Sequence, residues 1–353
     1  MSNKLRITVV TPSFDSIHTI RATLDSVANQ DYPDVEHIVM DGGSTDGTVD
    51  ILKSYSGLVW VSEKDERHYH AMDKGTRMAT GDVVAILNAD DCYRPGVLKE
   101  VASAFEEHPD WDALFGGVVF VDGEDQEIFR REEACFDPQI IRYGLNVVNH
   151  QTLFIKKAVY LRLGGYRYKE FKNACDYEYV MRLIRAKCHV RRIPVYIVNY
   201  RYHEYGQSAD MRVRQNMHLE GALIRKEYGL PGGWLGRALK VYARVKRQVE
   251  KLVLLGRFDF VPGDLRLKKH LRAKLLTANE ATVHLANLEG SRGQTFKIQY
   301  DFLSWSIGRA GPEAGPLNST LDSVPAIVAA ASFVVLSKAA GRFGPCNLST
   351  NWA

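Results

Sequence analysis

The stretch GDVVAILNADD, residues 81–91, carries five apolar residues, Val83 to Leu87, directly into Asn88, Ala89, Asp90 and Asp91. Two hard oxygen ligands at a strand tip suit Mg2+ or Mn2+ rather than a thiophilic metal. Magnesium takes one or two carboxylates and completes its shell with water and phosphate oxygens. A cation here would clamp a diphosphate and neutralise it as it departs, a Lewis-acid and template role. Taken alone, Asp91 serves equally well as a cap for the helix that follows Pro95.

Three more tips share this polarity: TPSFDS, DGGSTDGT and SEKDE. Each is also a turn sequence, in which Asp41 can open a glycine turn and Asp46 can cap the helix after it. Four acidic ends on one edge would repel one another, so a cation or a set of donors must lie among them. Asp176 opens a helical stretch, CDYEYVMRLIRAK. There the N-terminal dipole favours the ionised form that accepts a proton, although any first-turn acid gains the same way.

The elements that position these residues alternate. Apolar runs at 5–11, 35–41, 58–63, 82–88 and 113–121 predict strands, and 17–29, 46–55, 70–79 and 96–107 carry helical spacing. This predicts an α/β domain built on a mostly parallel sheet with helices on both faces. Ligands of such sheets sit beyond the carboxyl ends of the strands. Further on, 149–166 predicts a strand, a helix and a Gly-Gly stop, 191–208 a strand and polar loop, and 209–228 a long helix.

In the segment 237–255, Ala238, Tyr242, Val245, Val249 and Leu252 fall on one helical face, with Lys240, Arg244, Arg247 and Lys251 beside it. Such a basic amphipathic helix fits either an anionic membrane interface or packing on the domain with a solvated basic face. The chain carries 353 residues, a net charge of +4 and five scattered cysteines without a CxxC pair. That pattern argues against a thiolate zinc site and for a reduced, cytoplasmic protein without a signal peptide. The expected division is a catalytic domain at 1–230, a basic helical extension at 231–280 and an unassigned tail at 281–353.

TPSFD, DGGSTDGT, SEKD…YHAMDKG…ATGDVVAILNADD, NHQTLFIKKAVYLRLGGY and CDYEYVMRL together resemble the ordered signatures of family 2 glycosyltransferases with the GT-A fold. The resemblance spans roughly residues 5–210 and is nearest to the bacterial exopolysaccharide and lipopolysaccharide subgroup. It implies an inverting enzyme that uses a nucleotide-sugar, a UDP-sugar by preference, with Mg2+ or Mn2+, and a glycan or lipid-linked acceptor. No nucleic-acid partner is expected.

By the same resemblance, Pro12, Ser13, Phe14, Asp15 and Asp41 would surround the nucleotide base, and Lys74 and Asn88 would also serve the nucleotide. Asp90 would hold the metal, assisted by Asp91, with His203 as a third ligand or as a donor to the phosphates. Asp176 would be the base, with Glu178 as the second choice, and His150 and Gln151 would face the acceptor. Two positions depart from the family's usual YDAMNKG: His70 replaces its Asp and Asp73 its Asn. His70 then bears on sugar choice. A sugar-phosphate nucleotidyltransferase would want a glycine-rich basic loop after the first strand, which TPSFDSIHT lacks. A non-catalytic nucleotide-sugar-binding protein would not need both Asp90 and Asp176.

Overall fold

A computed structural model describes residues 4–144, 146–202 and 211–256. His203 and the stretch 281–353 lie outside the described residues.

Four parallel strands form one half of a twisted sheet: β1 (Ile7–Ser13), β2 (Val35–Asp41), β3 (Val59–Ser62) and β4 (Val83–Ile86), in the order β3-β2-β1-β4. All seven residues of β1 and all four of β4 are buried. Strands covered on both faces read as continuous apolar runs, which is why GDVVAILN shows no alternation. The register sets Ser13 opposite Asp41 and Asp41 opposite Ser62, so the polar tips lie level at one edge.

Helices α1 (Ile20–Ala28), α2 (Thr48–Lys53), α3 (His68–Met78) and α4 (Val97–Glu107) connect these strands and the next. Alternation along β2 sorts them. Ile38 and Met40 join one core with Ala71 and Met72 of α3, whereas Val39 joins another with Leu24 of α1 and Leu52 of α2. Helix α3 lies close to the sheet because Gly75 allows it: a Cβ there would fall 2.5 Å from Val10 Cγ1.

The other half is not parallel throughout. After the short β5 (Cys92–Tyr93) come β6 (Ala113–Val121), β7 (Glu127–Arg131), β8 (Phe154–Lys156) and β9 (Val190–Arg201). Strand β8 runs antiparallel between β4 and β6, while β9 runs parallel to β6. The parallel expectation thus holds for the half that carries the four tips. Beyond β4 the chain returns through a short antiparallel strand, and that brings a second set of loops to the same edge.

Helices α5 (Pro138–Arg142), α6 (Lys157–Leu163), α7 (Cys175–Arg185), α8 (Met211–Glu227) and α9 (Gly233–Leu255) complete the described chain. The apolar face of α9 departs from its sequence pattern at its C-terminal end. Lys251 is fully buried and Leu252 is 42% exposed. Arg247 and Lys251 reach Glu133, and Lys246 reaches Asp137 and Glu250. Glu133 is 5% exposed, and a buried carboxylate left unpaired costs more than desolvating a cation to meet it. Charge pairing, not the apolar stripe, sets the rotation of α9, and part of its basic character is consumed inside the protein.

Candidate active site

The strand tips resolve into two kinds of acid. Asp41 is 2% exposed, and its Oδ2 accepts from the Gly43 and Ser44 N–H groups and from the Ser62 hydroxyl, while Oδ1 accepts from the Ser44 hydroxyl. Asp46 accepts from the N–H groups of Ile17 and Thr48, each at 2.9 Å, but it stands one residue before the N-cap of α2, which is Gly47 at φ 101°, so the expected cap is displaced by one position. Asp15 accepts from the Thr45 N–H at 3.0 Å. The sheet edge is therefore held together by its own donors, and these three acids shape the loop walls.

Phe14 stands out from these walls, 63% exposed. A Cβ on Gly42 would meet its ring at 3.2 Å and Asp65 Oδ2 at 3.0 Å, so Gly42 leaves a flat floor beside an open aromatic face. Pro12 and Ser13 lie buried within β1. The Ser13 hydroxyl has no partner among the described residues. Lys74 on α3 pairs with Glu63 at the tip of β3.

At the tip of β4, Asn88 and Asp90 are half-buried. Asp91 turns inward instead, and this corrects the expectation that it assists a metal. It is 1% exposed, its Oδ1 accepts from the Arg201 N–H at 2.8 Å, and its Oδ2 accepts from the Gln151 amide. Burial and the nearby charge of Asp90 push its carboxyl well above the usual carboxylate range. Asp91 pins β4 to the end of β9. Gln151, fully buried on a short 3-10 turn (His150–Thr152), gives its amide N–H to that pin, while its Oε1 has no partner among the described residues.

Among the described residues, no three His, Cys, Asp or Glu side chains are grouped as a metal site. Asp90 and Asn88 nonetheless offer a carboxylate and an amide oxygen at an open tip. That donor set fits Mg2+ or Mn2+, which need few protein ligands when phosphates supply the rest.

Asp176, in the first turn of α7, faces this edge from the other half of the sheet. The Tyr69 hydroxyl donates to its Oδ1 at 3.1 Å, and the Asn146 amide donates to its Oδ2 at 3.1 Å. His150 Nδ1 lies 4.0 Å from the same Oδ2. Burial holds the His150 imidazole below its ordinary pKa against the opposing pull of Asp176 and Asp90. Burial, with His150 and Arg67 nearby, also brings His68 down to about 4. Both rings are neutral near pH 7. His150 Nε2 is buried and makes no hydrogen bond among the described residues.

Glu178, the second choice for a base, points away from the site. It is fully buried, with Arg182 Nη2 at 2.8 Å, Arg167 Nη1 at 3.3 Å and the Tyr228 hydroxyl at 3.0 Å. Two helical positions separate it from Asp176 by about half a turn. His70 accepts from the Glu66 N–H and packs against Tyr168. Asp73 is structural: it accepts from the Tyr160 hydroxyl and the Tyr166 N–H and pairs with Arg77.

Sequence reasoning did not single out Tyr69, Asn146 or His68. Their types carry no motif of their own, and only the packing of α3 and of the loop after α5 against α7 brings them to Asp176. Arg67 adds a second unread signal. It sits at φ 115°, ψ 172°, backbone space favoured by glycine, immediately before His68. Such strain costs on the order of 1–3 kcal/mol and concentrates at functional loops.

A parallel half-sheet with polar tips, faced by a carboxylate from a mixed half, defines an α/β transferase of GT-A architecture. Comparisons agree. Glycosyl transferase family 2 matches residues 8–162. An uncharacterized glycosyltransferase of Mycobacterium tuberculosis is 31% identical over 187 residues, which cover 52% of this chain and 70% of the relative. A Pyrobaculum calidifontis mannosyltransferase solved with GDP-Man and Mn2+ superposes with a TM-score of 0.52 at 18% identity, covering 80% of this chain and 81% of that one. The Staphylococcus aureus TarS fragment 1–349 solved with UDP-GlcNAc gives a TM-score of 0.50 at 20% identity, covering 70% and 73%. The chain belongs to glycosyl transferase family 2.

Proposed function

We propose that this glycosyltransferase is inverting, with Asp176 as the base that deprotonates the acceptor hydroxyl. The observation that carries this reading is the suspension of the Asp176 carboxylate between Tyr69 and Asn146, beside a neutral His150 that also feels Asp90. A carboxylate fixed by two neutral donors keeps lone pairs aimed at a substrate while its rotamer is locked. As the acceptor oxygen attacks the anomeric carbon, its proton passes to Asp176, and the nucleoside diphosphate leaves from the opposite face. A positioned base of this kind is worth about 10²–10⁴ in rate.

The donor is a nucleotide-sugar, and a UDP-sugar is the primary reading. Phe14 supplies the face on which the base stacks, over the floor left by Gly42. Among the described residues Asp41 Oδ1 accepts from the Ser44 hydroxyl alone, which leaves a lone pair for a ring N–H. Asp90 and Asn88 would hold Mg2+ or Mn2+, whose chemistry is to neutralise charge on the departing diphosphate. The acceptor is a lipid-linked or polysaccharide intermediate at the inner face of a bacterial membrane. Its support is the outward stripe of α9, where Trp234 is 74% and Val241 55% exposed and Arg237 and Arg244 lie between and beyond them.

The test is nucleotide release from UDP- and GDP-sugars, measured with thermal shifts on the same samples. A ligand at 100 times its Kd should stabilise the fold by about 2.7 kcal/mol. Asp176→Asn should keep that shift and lose turnover by about 10²–10⁴. Turnover retained in Asp176→Asn would overturn the base assignment, and a larger shift with GDP-sugars would overturn the UDP assignment.

A further inference from the structure

Helices α8 and α9 bring three cations together without an acid to answer them among the described residues. Gly144, at φ 103° in the turn after α5, lies beneath two of them: a Cβ there would stand 3.2 Å from Lys240 Cε and 3.3 Å from Arg225 Nη1. Arg244 follows one turn after Lys240 on α9, and its charge acts on Lys240 together with that of Arg225. The Tyr177 hydroxyl, which donates to the Ile141 carbonyl, lies within reach of the Arg225 charge.

The acids of both helices are committed elsewhere. Glu220 accepts from the N–H groups of Lys172, Asn173 and Ala174. Glu227 pairs with Arg167, and Glu250, the single acid of α9, lies with Lys246 and Asp137. No ion pair of Arg225, Lys240 or Arg244 occurs among the described residues. Like charges gathered on a partly buried surface repel, and that cost persists unless an anion joins them.

We propose that Arg225, Lys240 and Arg244, closing on the Gly144 turn, form a binding site for a phosphate-bearing anion. A guanidinium fork and an ammonium are the donors that phosphate oxygens select, and three cations match a diphosphate or a phosphodiester in charge. The same loop continues two residues from Gly144 to Asn146, which holds Asp176. Phosphate captured there would lie beside the acceptor end of the site rather than among the strand tips. Two sources share this chemistry: a soluble phosphorylated acceptor and a lipid headgroup. The proposal does not depend on Asp176 being the base.

The whole chain would be titrated calorimetrically with inorganic pyrophosphate in EDTA, which removes the divalent cations that a donor diphosphate needs. In parallel it would be sedimented with phosphatidylcholine vesicles with and without phosphatidylglycerol. Saturable pyrophosphate binding identifies a site open to soluble phosphates, and retention on phosphatidylglycerol vesicles alone identifies a headgroup; both support the site. Arg225→Gln or Lys240→Gln should weaken whichever binding occurs roughly tenfold. Lys240→Arg should restore it, which separates loss of a cation from loss of the helix. Nucleotide release from the donor sugar should be unchanged in Lys240→Gln, so this test can fail while the transferase reading stands. Absence of binding to both probes, or equal binding by the Arg225→Gln/Lys240→Gln double variant, would overturn the proposal.

Discussion

Asp176 takes its two hydrogen bonds from residues 107 and 30 positions away, Tyr69 and Asn146, so its geometry is a product of three elements meeting. Removing one hydrogen bond to a charged group costs about 1.5–3 kcal/mol. Tyr69→Phe should therefore lower kcat by roughly tenfold or more with donor KM unchanged, measured by steady-state nucleotide release. Asp90 and Asp91 are adjacent and should behave as opposites. Asp91→Ala strips the Arg201 N–H and the Gln151 amide of their acceptor and should lower stability by about 1–3 kcal/mol per donor. The Mn2+ concentration giving half-maximal activity should stay constant in Asp91→Ala and rise in Asp90→Ala. A metal response lost equally in both variants would put Asp91 back among the ligands.

Among the elements, α3 is tied to the turn after α6 by Asp73, and the turn is shaped for that acid. Gly165 sits at φ 73°, and a Cβ there would fall 2.0 Å from Asp73 Oδ1. Gly165→Ala must then bend the backbone and break a buried network, so chemical denaturation should show a loss of about 2 kcal/mol or more. The replacement of Asn by Asp at position 73 is met by local donors, Tyr160, Tyr166 and Arg77, which explains how this position departs from the family pattern without cost to the fold. His70 has no such explanation.

Across the whole molecule, α9 is fastened to the catalytic domain by ionisable groups, which makes that fastening pH-dependent. Burial, then the hydrogen bond and charge of Asp137, push the Glu250 carboxyl from 4.5 up to about 8. Asp137 shifts the other way: against burial, its hydrogen bond with Glu250 and then the charge of Lys246 hold its carboxyl below the usual range. Between pH 4.5 and about 8 the folded chain keeps a proton on Glu250 that the unfolded chain has released. Stability from this group is full below that window and is lost as pH rises through it, while Asp137 is ionised in both states. Hydrogen exchange of α9 should therefore quicken from pH 6 to pH 9, after correction for intrinsic rates, and Glu250→Gln should flatten that rise. Unchanged pH dependence in Glu250→Gln would show that Glu250 does not hold the proton.

Much of this design is written locally. Continuous apolar runs ending in turn residues made β1, β2 and β4 and their polar tips readable, because strand periodicity and turn chemistry are short-range properties of a chain. The helix that begins at Cys175 was readable for the same reason. The inward turn of Asp91, the spent lysines of α9 and the seating of Tyr69 and Asn146 on Asp176 were not. Each depends on a partner brought near by the return through β8, and neither charge pairing nor burial across such distances leaves a periodic trace in the sequence. Residue type set which groups could do chemistry; tertiary contact decided which of them were already satisfied and which were left facing a substrate.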